Sequence, residues 1–384
     1  MRVLVAFDKF KDALTAPDAC AIAGHAIARQ RPTWSVDACP LADGGEGFAS
    51  ILTAAVDGEW REIEVLGPRG APTQAGYGLV DPTRLPAAAR ARLALGPATR
   101  LAVIEMAAAS GLQSLTAAER DPWHTDTRGT GQLICDALAA GADAVLLGVG
   151  GSATHDVGLG ALTALGWRAE RADGSDIERI CPAGWSELTK LIPGTAPLPA
   201  IRIACDVSNP LLGERGAAAV FGPQKGLRAE DLARLESETA RIAQLVGQAV
   251  GQPDLESTPG AGAAGGIAYG FLTAANARLV PGFDLVEEWL DIAAKLDQAD
   301  LVITGEGRFD DSSLEGKGPG ALALRAVEQH KPVWIFAGAV SLEQAPTGCE
   351  LTAITPPGTT LPEALATAGA HLDRTLSERL SLRE

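Results

Sequence analysis

The stretch Val3-Leu4-Val5-Ala6-Phe7-Asp8-Lys9-Phe10-Lys11 decides how the rest of the chain is read. Its opening run is short and continuously apolar, which predicts a strand buried on both faces that breaks into a charged loop. A helix follows at once. Thr15 offers a capping hydroxyl, Pro17 and Asp18 suit a first turn, and Ala19, Ile22, Ala23, Ala26 and Ile27 recur at helical spacing. Strand, charged loop and helix make one unit of the α/β type.

The same alternation recurs downstream. A helix from about Gly131 to Ala140 ends at Gly141, a strand Ala144 to Val149 runs into a glycine-rich loop, and Leu159 to Leu165 resumes helical spacing. A strand Leu301 to Thr304 empties into Gly305-Glu306-Gly307, followed by a helix from about Gly320 to Gln329 and a strand Val333 to Ala337. Units of this kind build a mainly parallel sheet covered by helices, with ligands gathered at the carboxyl ends of the strands. Between them the texture changes. Arg61 to Val80 reads as paired strands about the turn Gly67-Pro68-Arg69-Gly70, and Trp167 to Ile177 as a hairpin about Ala172-Asp173-Gly174. Residues 228 to 250 form the clearest amphipathic helix, read as structural packing. The expected architecture is α/β in two domains: a Rossmann-like parallel-sheet domain from both chain ends, 1–60 plus 286–384, and an inserted mixed α/β domain, 61–285. The 384 residues fit that division, since single cores of roughly 100 to 200 residues are the rule.

Composition narrows the function. The 48 acidic against 32 basic residues give a formal charge of -16, which repels nucleic acid and anionic membrane surfaces. Neither is an expected partner, and any anion site must be built locally from lysines, backbone N–H groups and divalent cations. The six cysteines are scattered with no C-x-x-C pair, and the five histidines show no H-x-x-x-H spacing, which argues against zinc. The first residues carry no cleavable signal pattern, and no apolar stretch approaches the ~18 residues of a membrane span. The expected compartment is the cytoplasm. Nothing in the sequence specifies an oligomeric state.

Four glycine-rich, charged segments could carry chemistry. Gly148 to Asp156 contains Gly150, Gly151 and Ser152, which fit either a phosphate cradle or a tight strand-to-helix turn. In Gly305 to Ser313, Gly305 and Gly307 could approach phosphate, Glu306 and Asp310 could hold Mg²⁺, and Lys317 beyond them could meet a phosphate. Asp8, Lys9 and Lys11 go with Asp43-Gly44-Gly45-Glu46-Gly47 in the first α/β unit. The chain has seven lysines against 25 arginines, and Lys9, Lys11, Lys225 and Lys317 all lie in or beside these segments. Asp206 and Asn209, after the strand Ile201 to Ala204, have oxygens suited to a metal or a substrate hydroxyl, although an Asx-turn before Pro210 explains Asn209 equally well. Gly260-Ala261-Gly262-Ala263-Ala264-Gly265 matches G-x-G-x-x-G but lacks a preceding strand, so it reads as a glycine-rich helix start. No G-x-x-x-x-G-K-[ST] loop is present: Asp311 stands at its first glycine and Gly318 replaces its hydroxyl.

Taken in order, Asp8-Lys9-Phe10-Lys11, Leu41 to Gly47, Gly150 to Asp156, Cys205 to Leu211, Phe221-Gly222-Pro223-Gln224-Lys225-Gly226 and Gly305 to Asp310 resemble the bacterial glycerate kinases that lack a P-loop. The likeness spans nearly the whole chain. It departs after Lys11, where Asp12-Ala13-Leu14 stand in place of a small Gly-Ser-like pair. The resemblance implies two α/β domains with the active site in the cleft between them, ATP and Mg²⁺ as co-substrate and cofactor, and glycerate as acceptor. It favours 2-phosphoglycerate as product, the 3-phosphate being the alternative. On that reading Gly150, Gly151 and Ser152 cradle ATP phosphates, and Lys9 or Lys317 neutralises the γ-phosphoryl. Carboxylates from Asp206, Glu306 and Asp310 hold Mg²⁺, and Asp43 or Asp156 accepts the hydroxyl proton. Arg308 grips the glycerate carboxylate, with Glu46 and Asn209 as further acceptor contacts. Two other classes compete: a dinucleotide-dependent oxidoreductase resting on residues 260–265, and a non-catalytic nucleotide- or sugar-acid-binding protein.

Overall fold

The computed structural model describes all residues except 252–254, 315–317, 343 and 383–384. Its strands, in chain order, are β1 Arg2–Phe7, β2 Ser35–Ala38, β3 Glu59–Leu66, β4 Pro72–Val80, β5 Leu101–Glu105, β6 Ala144–Gly148 and β7 Arg168–Glu170, then β8 Lys190–Ile192, β9 Ala200–Ala204, β10 Arg278–Val280, β11 Leu301–Phe309, β12 Val333–Val340 and β13 Cys349–Ala353. The chain divides into two compact units, 1–43 with 286–384 and 44–285. The first junction therefore falls at 43/44 rather than near residue 60. The reason is the helix Phe48–Ala54, which packs on β4 and β5 and belongs with them.

The first unit holds a five-stranded sheet of order β13-β12-β11-β1-β2, with every neighbouring pair parallel. Val3 to Phe7 are fully buried, as an apolar central strand requires. The helix Ala16–Gln30 begins where Thr15 accepts a hydrogen bond from the Asp18 N–H, with Pro17 in its first turn. Its buried face of Ala19, Ala23 and Ile27 joins Val5, Phe7, Trp334 and Leu372 in the core.

β11 departs from the expected loop at Gly305. The strand continues to Phe309, with Arg308 opposite Ala339 and Phe309 opposite Val340 of β12. A glycine usually reads as a strand's end, but here it permits a close approach: a Cβ on Gly305 would stand 1.7 Å from the Phe336 carbonyl oxygen. Gly305 to Arg308 are strand residues, not a phosphate-wrapping loop.

The second unit holds a six-stranded sheet, β10-β9-β6-β5-β4-β3, in which β5, β6, β9 and β10 are parallel and β3 and β4 run antiparallel at one edge. The hairpin about 67–70 forms as expected, with Glu59 to Leu66 paired against Pro72 to Leu79. The hairpin about 172–174 also forms, with an antiparallel bridge between Glu170 and Asp176, and β7 pairs in addition with β8 further along the chain. The helix Leu232–Val250 buries Leu235, Ile242 and Val246 in this unit's core. Among the described residues no helix is long and apolar enough to cross a membrane.

Candidate functional site

From β1 the chain crosses to β2 on one side, while β11 lies on the other. The order of the sheet thus reverses between β1 and β11, and in open parallel sheets ligands bind outside the carboxyl ends of the strands at such a point. Phe7, which ends β1, lies opposite Gly305, and the Asp8 N–H donates to the Gly305 carbonyl at 3.0 Å. A cavity of about 760 Å³ opens here, its charged side chains including Asp8, Lys9, Lys11, Asp43, Glu306 and Arg308.

The charges in this cavity are held in place. Lys9 Nζ lies 2.9 Å from Asp43 Oδ1, and the Lys9 N–H donates to Asp8 Oδ1 at 2.7 Å. Arg308 Nε stands 3.4 Å from Asp310 Oδ2, with the arginine side chain largely exposed. The Asp310 N–H donates to Ser313 Oγ at 3.1 Å. Glu306 is pushed up to about 7, first by burial and then by the charges of Asp8, Asp310 and Asp43, against a lowering hydrogen bond from Ser313. Its Oε1 is buried with no hydrogen-bond partner. A crowd of carboxylates around an orphaned carboxylate oxygen fits a divalent cation that brings its own further oxygens. Among the described residues no three such groups converge as a ready-made metal site, so protein ligands alone do not complete one. Asp8 is a member of the site without an assigned role in the sequence reading. Lys317 lies outside the described residues.

The glycine loops of the second unit do something other than expected. The Gly150 N–H donates to the Gly44 carbonyl at 3.0 Å, and a Cβ on Gly150 would lie 2.7 Å from Gly45 Cα. The Ala153 N–H goes to the Ser110 carbonyl, and Gly151 bonds through its carbonyl to the Leu112 N–H. The next helix, Leu159–Ala164, starts well past the loop. Gly150 thus belongs to a packing seam against Gly44 and Gly45 with its N–H engaged, and these contacts lend no support to a phosphate cradle at Gly150, Gly151 and Ser152. Glu46 sits along that seam, its Oε1 2.9 Å from where a Gly151 Cβ would be. Glu105, unnoticed in the sequence, accepts from the Gly47 and Ala49 N–H groups and holds the start of the helix Phe48–Ala54.

Three further candidates make structural hydrogen bonds. Asp156 is fully buried. Its Oδ2 accepts from the Thr127 N–H and hydroxyl and from the Gly160 N–H, and its Oδ1 from the Gly158 N–H. A carboxylate so enclosed has no approach for a substrate hydroxyl, which removes it as proton acceptor. Asp206 accepts from the Gly282 and Phe283 N–H groups at the start of the helix Gly282–Trp289 and so anchors its N-terminus. Asn209 donates to the Arg215 carbonyl across its loop. The 260–265 string is no dinucleotide fingerprint. Ala264, Gly265 and Gly266 take left-handed conformations, and a Cβ on Gly265 would meet the Thr154 carbonyl at 2.1 Å.

Behind the seam, Lys225 is buried, its Nζ donating to Ser152 Oγ at 2.8 Å and to the Thr154 carbonyl at 2.6 Å. Burial pushes it down to about 7, with Asp156 pulling the other way. Beside it His155 is pushed down to about 3 by burial and by Lys225, and is neutral. The Thr239 hydroxyl donates to the Leu235 carbonyl, so His155 Nε2 is the donor in its 3.0 Å contact with Thr239. An unfolded lysine keeps its proton to about 10.5 while the folded one releases it near 7, so unfolding takes up a proton between these values. Stability therefore rises with pH across that window. In thermal melts from pH 7 to 10 the wild type should gain on Lys225→Met, by at most ~1.4 kcal/mol per pH unit. A difference that stays constant with pH contradicts the assignment.

Comparison with known proteins places this geometry. The model of the glycerate kinase family matches residues 3–382. A protein of Bacillus subtilis strain 168 named glycerate kinase is 38% identical over 98% of this chain and 96% of its own length. Glycerate 2-kinase of Escherichia coli K12 is 36% identical over 89% of this chain and 86% of its own. A crystal structure from Salmonella typhimurium LT2, described provisionally as glycerate kinase 2, superimposes with a TM-score of 0.76 at 36% identity, covering 99% of this chain and 97% of that one. An oxidoreductase and a non-catalytic binding protein are thereby set aside. With a family match along nearly its whole length and relatives well above 30% identity, this chain belongs to the glycerate kinase family and is a phosphotransferase.

Proposed function

We propose that the chain transfers the γ-phosphoryl group of ATP, with Mg²⁺, to the 2-hydroxyl of D-glycerate, giving 2-phospho-D-glycerate. The observation that carries this reading is the charged cavity at the carboxyl ends of β1 and β11, which sets Lys9, Lys11 and Arg308 among the carboxylates of Asp8, Asp43 and Glu306. Family membership supports the reaction class, and the name of the Escherichia coli relative supports the 2-position. All six cysteines are free thiols, which supports a reducing compartment such as the cytoplasm.

Phosphoryl transfer asks a protein for positioning and for charge placed where it develops. Lys9, braced on Asp43, meets the γ-phosphoryl oxygens, and Lys11 adds a second positive charge along the phosphates. Glu306 and Asp310, with Asp8 beside them, would hold Mg²⁺, which when bound neutralises phosphate oxygens. Asp43, with a side chain 55% exposed beside Lys9, is the group placed to accept the glycerate hydroxyl proton. The Arg308 fork, 68% exposed, suits a carboxylate.

Release of ADP, followed with the purified chain, ATP and Mg²⁺, should depend on D-glycerate and stay near background with glycerol. Glycerol offers hydroxyls but no carboxylate for Arg308. Equal rates with glycerol, or ADP release that ignores the acceptor, would sink the reading.

A further inference from the structure

We infer that Ser313 is a positioning residue for the proposed cation, holding Glu306 and Asp310 through a single hydroxyl. This rests on the metal reading above and extends it to a side chain with no role so far. Glu306 and Arg308 share one face of β11 by its two-residue period, and Asp310 follows just past the strand's end, with Arg308 Nε 3.4 Å from its Oδ2. The ladder sets Glu306 opposite Ala337 and so fixes its backbone. Its long side chain keeps rotamer freedom that something else must remove.

Past Phe309 the chain closes a tight turn. The Ser313 N–H donates to the Asp310 carbonyl at 3.0 Å, and the Asp310 N–H donates back to Ser313 Oγ at 3.1 Å. That second bond is the return half of a capping box, at the start of the short 3-10 turn Asp311–Leu314. The helix Gly318–Glu328 backs the turn closely: a Cβ on Gly320 would stand 1.8 Å from the Ser313 carbonyl oxygen. Ser313 is therefore held at its backbone as well as at its hydroxyl.

The residue type then matters. The side chain that usually makes this return bond is Glu or Gln, and an ionised Glu has no proton to give onward. A hydroxyl that accepts from the Asp310 N–H still has its own proton, and Ser313 hydrogen-bonds Glu306 with it. Glu306 Oε1 is buried without a partner, so that bond falls on the other oxygen and leaves Oε1 for a cation. One side chain thus ties the Asp310 backbone and the Glu306 carboxylate to a common point, as the outer partners of ligating carboxylates do.

Mn²⁺ binding to the full chain without nucleotide, read from the electron paramagnetic resonance of the free ion, tests the assignment. The proteins compared are the wild type, Ser313→Ala, Ser313→Thr and Glu306→Gln, each with a thermal melt. Ser313→Ala should bind Mn²⁺ about tenfold or more weakly, while Ser313→Thr, which keeps the hydroxyl, should stay within about threefold of the wild type. Ser313 is half-buried in a short turn, so its truncation does not threaten the fold and the melting temperatures should stay within a few degrees. Unchanged Mn²⁺ affinity in Ser313→Ala overturns the positioning role, whatever its melting temperature, as do equal losses in the Ala and Thr variants. The metal reading survives either result if Glu306→Gln binds weakly. A wild type that takes up no Mn²⁺, or a Glu306→Gln that binds as the wild type does, overturns the metal reading of Glu306 and the role of Ser313 together.

Discussion

Replacing Lys9 by Met should lower kcat by about a thousandfold while the melting temperature stays within a few degrees of the wild type. Lys9 lies two residues past the end of β1, so a strand buried from Val3 to Phe7 holds its backbone close. Its ammonium is steered by Asp43 at 2.9 Å, and its N–H is tied to Asp8. Charge fixed before the reaction needs no reorganisation as the phosphoryl group transfers, which is why removing one such group is so damaging. The Lys9 side chain is only 20% exposed, but Met keeps the length of its apolar stem, so the loss should appear in turnover rather than in stability. Steady-state kinetics beside a thermal melt separates the two. A kcat within about fivefold of the wild type would remove Lys9 from the phosphoryl site.

The second large effect has the opposite signature. Asp156→Ala should destabilise the chain by about 3–5 kcal/mol, because it strands the N–H groups of Thr127, Gly158 and Gly160 and the Thr127 hydroxyl in a fully buried place. For a unit of this size that corresponds to a melting temperature lower by about 10 °C. Asp156→Asn should be milder. An amide oxygen in the place of Oδ2 keeps the bonds from Thr127 and Gly160, and only the Gly158 N–H then faces an amide NH₂. If Asp156 were instead the proton acceptor, Asn would abolish turnover at an unchanged melting temperature, so differential scanning calorimetry with kinetics on both variants decides.

The first unit was legible in the sequence because its signals are local. Val3 to Phe7 could only be an interior strand, and Thr15, Pro17 and Asp18 mark the helix start that forms. β11 was only half legible. Gly305 has the look of a strand end, and the contact that makes it an interior residue is with Phe336, on a strand whose pairing no local pattern reveals. The loop at 150–152 was ambiguous for a related reason. Glycines that let a backbone approach an anion and glycines that let it approach another backbone look the same in sequence, and only the Gly44 carbonyl across the seam tells them apart. Asp156 and Asp206 share that ambiguity, since a carboxylate bonding N–H groups reads like one awaiting a substrate. That Leu361, Ala364, Leu365 and Ala368 line the cavity escaped notice because they have the periodicity of an ordinary core stripe. What the charged clusters of Asp8 to Lys11 and Glu306 to Arg308 did convey, through residue type alone, was the charged character of the cavity they come to line.

The central claim is a phosphoryl transfer to the 2-hydroxyl of glycerate, and proton-coupled phosphorus NMR of the product reads it directly. An ester at the second carbon places phosphorus next to a single methine proton, whereas an ester at the third places it next to a methylene pair. The product made from D-glycerate, ATP and Mg²⁺ should give a phosphorus doublet; a triplet would contradict the account, as would the absence of any new phosphate ester.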